Sequence, residues 1–125
     1  MTLAALVALA APVAALAQEV AGVWRTEATD EGYLEVRIAP CGEAICGTIL
    51  GARDLTGHPQ PYDHAGRWMI RDMMPAGPGA WSGGEIWDPR NGRTFRSKMA
   101  LSGSDLTVSG CVLGFCQGQV WRRVN

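Results

Sequence analysis

Two histidines and two aspartates lie close together in one segment of the chain. Asp54, His58, Asp63 and His64 all fall between residues 53 and 66. Imidazole and carboxylate groups can bind a metal ion or exchange protons with a substrate. Because the segment has no helical His-x-x-x-His pair and no accompanying nucleophile, these two chemistries are secondary hypotheses here. A loop of this length is typical of a lid or a binding loop, and an Ω-loop shaped by its prolines is the alternative.

A single acid lies between two tryptophans in an alternating stretch. Trp81, Glu85 and Trp87 fall on one face of a predicted strand. If that face points inward, burial favours the neutral carboxyl group of Glu85. If Ile86 points inward instead, which we favour, Glu85 is solvated. Asp88 is three residues beyond Glu85 and faces the opposite side, so the two acids do not form the carboxylate pair of a glycosidase.

The chain carries no motif of a known catalytic or cofactor site. Neither a Gly-x-Ser-x-Gly elbow nor a glycine-rich phosphate loop occurs in the sequence. A net charge of −1 over 125 residues also excludes the broad basic surface of a nucleic-acid-binding protein. We therefore expect one domain that binds rather than catalyses, with no cofactor, no metal and no nucleic-acid partner.

The two halves of the chain differ in charge. Residues 18–84 carry nine acids and five arginines, whereas residues 85–125 carry six bases and three acids. Arg96 and Lys98 share one face of a predicted strand. A solvated outer face is the ordinary interpretation of such a stripe, and contact with an anionic lipid or a carboxylate ligand is the alternative.

The N-terminal segment predicts export. Residues 1–17 contain no charged side chain and end in Ala15-Leu16-Ala17, the small-x-small pattern of a signal peptidase site. We expect a signal peptide over residues 1–17 and one domain over residues 18–125, in the periplasm or secreted. An uncleaved anchor is the alternative. No later apolar run is long enough to span a bilayer.

Four cysteines form two pairs with equal spacing. Cys41 and Cys46 have four residues between them, as do Cys111 and Cys116. Each pair flanks a predicted hairpin tip, where facing residues of antiparallel strands come within disulfide reach. We therefore prefer the two near pairings. A bridge between the two hairpins and a four-cysteine zinc site are the alternatives.

Short alternating stretches separated by turn residues predict about eight strands and no amphipathic helix. The predicted strands are Gly22–Glu27, Tyr33–Ile38, Ile45–Leu50, Arg67–Met73, Ala80–Trp87, Thr94–Leu101, Asp105–Cys111 and Gln117–Val124. This pattern favours an all-β fold, a small closed or nearly closed antiparallel barrel. The apolar hairpin tip, residues 112–115, either plugs one end of the barrel or forms a contact patch, and we favour the plug.

Several of these residues resemble a known family. Gly22-Val23-Trp24 and Trp121-Arg122-Arg123 resemble the lipocalin-type signature, in which an early tryptophan packs under a basic residue of the last strand. The wider pattern resembles domain of unknown function 2147, through Cys41-Gly42, Cys46-Gly47, the stretch from Trp81 to Phe95, and Gly110-Cys111-Val112-Leu113-Gly114. This resemblance implies a lipocalin-like barrel and an exported bacterial protein, and it implies no activity. The family usually has Asn before Pro in the mid-chain loop, whereas this chain has His58-Pro59.

Two kinds of function follow. In the first, the barrel carries a small apolar or amphiphilic ligand under the lid at residues 53–66. Candidate ligand-lining residues are Trp24, Trp68, Met69, Trp81, Glu85, Trp87, Phe95 and Arg122. In the second, large side chains fill the interior, and the outer face or the hairpin tips bind an envelope protein. Core packing is the ordinary role of Trp68 and Met69. We expect a monomer in either case.

Overall fold

The computed structural model describes residues 19–125. The predicted signal peptide at residues 1–17 lies outside the described residues. Glu19 and Val20 are helical, and nine strands follow: β1 (Gly22–Arg25), β2 (Tyr33–Cys41), β3 (Ala44–Arg53), β4 (Pro59–Gln60), β5 (Trp68–Pro75), β6 (Ala80–Asp88), β7 (Arg93–Ser102), β8 (Asp105–Val112) and β9 (Phe115–Arg123). Within residues 19–125, no helix has the length and apolar character needed to cross a bilayer.

Eight of these strands close into an antiparallel barrel. Their order is β2-β1-β9-β8-β7-β6-β5-β3, and β2 also pairs with β3. The two-residue strand β4 pairs only with β3. The predicted eight-stranded barrel is therefore confirmed. Because consecutive strands run in opposite directions, the β1–β2, β3–β5, β6–β7 and β8–β9 connections lie at one end, here called the loop end. The described N-terminal residues and the C-terminus lie at the other.

Most strands differ by a few residues from their predicted bounds. Strand β2 continues through Pro40 to Cys41, because both residues pair across a two-residue turn with β3. Strand β9 begins at Phe115 rather than Gln117 for the same reason. Strand β1 ends at Arg25 rather than Glu27, whose carboxylate Oε1 instead accepts the Val120 N–H at 3.2 Å.

Tryptophans from three strands fill the core. Trp24 of β1, Trp81 of β6 and Trp121 of β9 are all at most 1 % exposed. Aliphatic residues and methionines surround them: Val36, Ile38, Ile45, Ile49, Met69, Ile70, Met73, Ile86, Met99, Leu106 and Val108. Each buried aromatic side chain removes roughly 150–250 Å² from water, so these three rings contribute a large part of the hydrophobic stabilisation.

A bulge in β6 changes which side chains face the core. Trp81 pairs with Met99 and Ile86 pairs with Phe95. Trp81 and Ile86 are five residues apart on β6, whereas Met99 and Phe95 are only four apart on β7. Alternation places Met99 and Phe95 on one face of β7, so Trp81 and Ile86 both face inward. The prediction that Trp81 and Glu85 share a face is therefore wrong, because the extra residue between them inverts the alternation.

Next to the bulge, β5 and β6 approach each other closely. A Cβ atom on Gly84 would lie 2.4 Å from the Arg71 carbonyl oxygen. On the facing strand, Asp72 has a φ of 60°, which is uncommon for a residue other than glycine. Only glycine fits at position 84 with the two backbones at this separation.

Two disulfides hold the tips of two hairpins. Cys41–Cys46 and Cys111–Cys116 have Cα–Cα distances of 5.7 and 4.0 Å. The two near pairings are therefore confirmed. The β8–β9 disulfide lies at the loop end, and the β2–β3 disulfide lies at the opposite end.

Candidate functional site

Among residues 19–125, the buried residues with polar side-chain groups are tryptophans, Thr26, Ser97 and Ser109. The Trp24 Nε1–H donates to the Val20 carbonyl at 2.9 Å, and the Trp121 Nε1–H donates to Gln119 Oε1 at 2.8 Å. The Trp81 Nε1–H is buried, and among residues 19–125 it has no acceptor. Trp81 is therefore the interior tryptophan whose polar group an internal ligand would satisfy.

Trp24 is covered at the end of the barrel where the chain terminus lies. The Cζ atom of Arg123 lies 4.4 Å from the centroid of the Trp24 ring. Arg123 also donates to the Ala21 carbonyl at 3.0 Å and to the Glu19 carbonyl at 2.6 Å. Of the two arginines at the end of β9, Arg123 thus packs on the tryptophan. Arg122, a predicted ligand-lining residue, lies instead on the outside, 3.5 Å from Asp105.

An open groove of about 380 Å³ lies on the outer face of the barrel, at the loop end. It runs between β3 and the β3–β5 connection, and it is lined by Glu35, Leu50, Gly51, Ala52, Arg53, Pro59, Gln60, Tyr62 and Ala65. Arg53 forms an ion pair with Glu35 and donates to the Gly57 carbonyl at 2.8 Å. Leu50 is partly exposed beside them. The groove therefore combines an apolar wall with a charged pair, which suits a small amphiphile.

A second cleft of about 290 Å³ also lies outside the barrel. Its lining residues are Arg25, Thr26, Glu27, Ala28, Tyr33, Leu55, Val120 and Arg122. The Arg25 guanidinium lies 5.8 Å from the Tyr33 ring centroid. Both clefts are thus shaped by outward-facing side chains and loop residues, whereas the core tryptophans line neither.

The predicted loop over residues 53–66 has more local order than expected. Strand β4 pairs with β3 within it, so it is not structureless. The Asp54 carboxylate accepts hydrogen bonds from the Thr56 N–H and hydroxyl and from the His58 N–H, at 2.7 to 3.0 Å. The bond from Thr56 is the main reason that the pKa of Asp54 lies below its usual value. Asp54 therefore organises a turn.

The two histidines have separate environments. His58 is exposed, and its Nδ1 lies 2.7 Å from the Thr56 hydroxyl. His64 lies edge-on against the Tyr62 and Trp87 rings, with centroid distances of 5.5 and 5.0 Å. Asp63 is exposed. Within residues 19–125, no three His, Cys, Asp or Glu side chains come together as metal ligands.

Tyr62 and Trp87 fix this connection to the barrel. The Arg67 guanidinium lies 3.7 Å from the Trp87 ring centroid, which is a cation–π contact. Tyr62 packs against the core. Burial, and then the charge of Asp88, raises the pKa of the Tyr62 phenol above its usual value. The connection is therefore anchored by aromatic contacts.

The other predicted ligand-lining residues do not converge on one site. Trp24, Met69 and Trp81 lie in the core, and Phe95 is partly buried against it. Glu85 is half-exposed, 3.4 Å from Arg71, which stacks on Trp68 at 4.0 Å. Glu85 is thus held in a surface ion pair, in agreement with the inward orientation of Ile86.

Sequence reasoning assigned the wrong environment to the β8–β9 hairpin tip. Val112, Leu113 and Phe115 are 53 %, 94 % and 84 % exposed. The expected plug is therefore wrong, because the hairpin projects beyond the barrel wall. On the far side of β9, strand β1 pairs only with Arg122 and Arg123. The signal in the sequence was the apolar Val-Leu-Gly-Phe turn between two bridged cysteines.

Comparison with models of known protein families identifies a match to this chain. The family model described as an uncharacterized protein conserved in bacteria, DUF2147, matches residues 22–123. The chain belongs to the DUF2147 family. The resemblance noted in its sequence is thus confirmed over nearly the whole barrel.

Comparison with solved structures agrees on the fold of this DUF2147 protein. It is similar to protein HP1028 from the human pathogen Helicobacter pylori, which is described as belonging to the lipocalin family. The TM-score is 0.67 at 15 % sequence identity, with 85 % of this chain and 83 % of that chain covered. At this identity, the similarity establishes a lipocalin-like barrel only. No curated protein matches the chain.

Proposed function

We propose that this DUF2147 chain is an exported, non-catalytic binding protein that acts through the outside of a filled barrel. One observation carries the proposal: the buried rings of Trp24, Trp81 and Trp121 occupy the space that a lipocalin-like carrier would offer to its ligand. Both clefts open on the outer face. The groove beside Arg53 and Leu50 is our candidate site for a small amphiphile.

Export is supported by two features of the chain. Disulfides persist outside the reducing cytoplasm, and all four cysteines are paired. The uncharged apolar segment at residues 1–17 has the composition of a signal peptide. Periplasmic delivery or secretion follows as part of the proposal.

A carrier is the second candidate, and Trp81 is the observation in its favour. A buried N–H without an acceptor costs roughly 1–3 kcal/mol. An oxygen atom of a bound ligand would remove that cost. The two functions therefore predict opposite effects when the N–H group of Trp81 is removed.

The Trp81→Phe variant separates them, because it keeps an aromatic ring and deletes the N–H. A filled barrel predicts that the variant is at least as stable in urea as wild type, and that a fluorescent fatty-acid probe binds both proteins with the same affinity. A carrier predicts saturable binding of the probe to wild type and weaker binding to Trp81→Phe. Leu50→Ser is the matched change in the groove, and only outer-surface binding predicts that it weakens the probe's affinity.

A further inference from the structure

The tip of the β8–β9 hairpin carries a leucine at a position where the turn favours another residue type. The two-residue turn places Leu113 at φ 50° and Gly114 at φ 84°. This turn requires left-handed backbone at both positions, where Asn or Asp with Gly is preferred. Leu113 instead combines an unfavourable backbone conformation with a side chain that is 94 % exposed. Asn would hold the turn with less strain and no exposed apolar surface.

The tip is also rigid and prominent. The Cys111–Cys116 disulfide bridges the pair of residues directly behind Val112 and Phe115. Residues 115–118 are all exposed. A hairpin tip that is bridged by a disulfide keeps its shape in solution, so little conformational entropy is lost when the tip is buried against a partner.

Basic side chains lie beside this tip. Arg96 pairs directly with Cys111 across β7 and β8. Arg96 and Lys98 are exposed on the outer face of β7, and Arg93 is exposed at its start. Among residues 19–125, none of these three bases forms an ion pair, although other arginines do.

We propose that the β8–β9 hairpin docks the barrel on an anionic lipid bilayer. Val112, Leu113 and Phe115 enter the boundary between headgroups and acyl chains, and Arg93, Arg96 and Lys98 contact lipid phosphates. A convex apolar tip suits a bilayer because a bilayer requires no matching cavity, and unpaired bases beside it complement the lipid charge. Asp30 and Glu31 lie in the β1–β2 connection at the same end, so the barrel approaches with its β7–β8 side towards the lipid.

This inference deepens the proposed function and rests on it in one respect, that the contact surface lies outside the barrel. The test is flotation of the oxidised protein with vesicles of phosphatidylethanolamine and phosphatidylglycerol, against vesicles of phosphatidylcholine alone. We expect binding to the anionic vesicles that weakens with added salt. Leu113→Asn should lower the partition coefficient by about tenfold, from the lost burial of one leucine. Arg96→Gln with Lys98→Gln should lower it by roughly thirtyfold, at about 1 kcal/mol per base.

Two controls keep the result interpretable. Leu113→Asn relieves the turn, so its stability in urea should equal or exceed that of wild type, and a loss of binding is then not a loss of fold. Met74→Gln changes a partly exposed apolar side chain near the opposite end of the barrel and should leave partition unchanged. All variants share one N-terminus, so residues 1–18 contribute equally to each.

Three results would overturn the inference. The first is wild-type protein that does not float with anionic vesicles. The second is binding that is lost in the basic-residue variant but kept in Leu113→Asn, since this indicates adsorption by charge alone. The third is a wild-type protein that forms a dimer and does not bind vesicles, together with a Leu113→Asn variant that is monomeric. A second copy of the chain would then cover the tip. Flotation does not report on the barrel interior and the fatty-acid probe does not report on the tip, so the inference and the proposed function can fail separately.

Discussion

The Arg123 guanidinium lies 4.4 Å from the centroid of the Trp24 ring, so the end of the last strand covers a core residue of the first. The same guanidinium donates to the Ala21 and Glu19 carbonyls. This matters because β1 and β9 share only two residue pairs, the shortest contact in the closed barrel. The Arg123 side chain therefore reinforces the seam with the fewest ladder pairs, together with backbone hydrogen bonds between Val23 and the last two residues.

Replacement of Arg123 by Gln should destabilise the protein by about 2–3 kcal/mol, since it removes a stacked cation and two charge-assisted hydrogen bonds. The neighbouring Arg122→Gln loses only a surface ion pair with Asp105, worth about 0–1 kcal/mol. Urea unfolding of both variants measures the difference. Equal losses for the two arginines would contradict a special role for Arg123.

Substitution of Gly84 by Ala should cost about 3 kcal/mol or more, because the new Cβ would lie 2.4 Å from the Arg71 carbonyl oxygen. Gly51 is the matched control on β3, where a Cβ meets nothing within 4 Å. Thermal unfolding of Gly84→Ala and Gly51→Ala provides the test. A Gly84→Ala variant as stable as wild type would show that β5 and β6 separate without cost.

The Cys111→Ser/Cys116→Ser variant should lose about 2 kcal/mol of stability, as expected for a short bridged loop. The Cys41–Cys46 disulfide closes a loop of the same length, so the Cys41→Ser/Cys46→Ser variant should lose a similar amount. Their Tm values are compared under oxidising conditions. Equal Tm values for wild type and the Cys111/Cys116 variant would count against that disulfide as a stabilising staple.

Acid stability should depend on Asp88. Its carboxylate accepts three hydrogen bonds from Arg90, and the guanidinium bonds are the main cause that lowers the pKa of Asp88. A pKa that is lower in the folded than in the unfolded state gives stability above the unfolded value, about 3.9, and this stability is lost as the pH falls through the folded value.

Asp88→Asn should therefore be about 1 kcal/mol less stable than wild type at neutral pH, because the bonds to Arg90 are exposed to solvent. The two proteins should converge as the pH falls below the unfolded pKa. Urea unfolding across this range measures the gap. A gap that stays constant down to low pH would exclude the Asp88 charge as its source.

The strands and disulfides were predictable because they depend on local sequence. Leu34, Val36 and Ile38 alternate with polar residues, which fixes the inward face of β2. Equal cysteine spacing across two predicted hairpins then selected the near pairings. Closure into a barrel followed from the strand count and from the family resemblance.

The candidate surfaces were less predictable because they depend on contacts between distant strands. The bulge between Trp81 and Gly84 lies beside the unusual backbone of Asp72 on β5, and alternation along β6 alone assigned Trp81 to the wrong face. Leu113 is exposed at the tip of a hairpin whose strand β9 pairs with β1 only at Arg122 and Arg123. Neither relationship is visible in a single segment of sequence.

Native mass spectrometry tests the central claim, that the barrel is filled and binds through its outside, most directly. Oxidised protein is recovered from the periplasm of an expressing bacterium, and its organic extract is analysed in parallel. Our account predicts the mass of the processed chain alone with two disulfides, and no stoichiometric compound in the extract. A stoichiometric adduct that leaves on denaturation, and that the Leu50→Ser variant still carries, would contradict it and would establish a carrier.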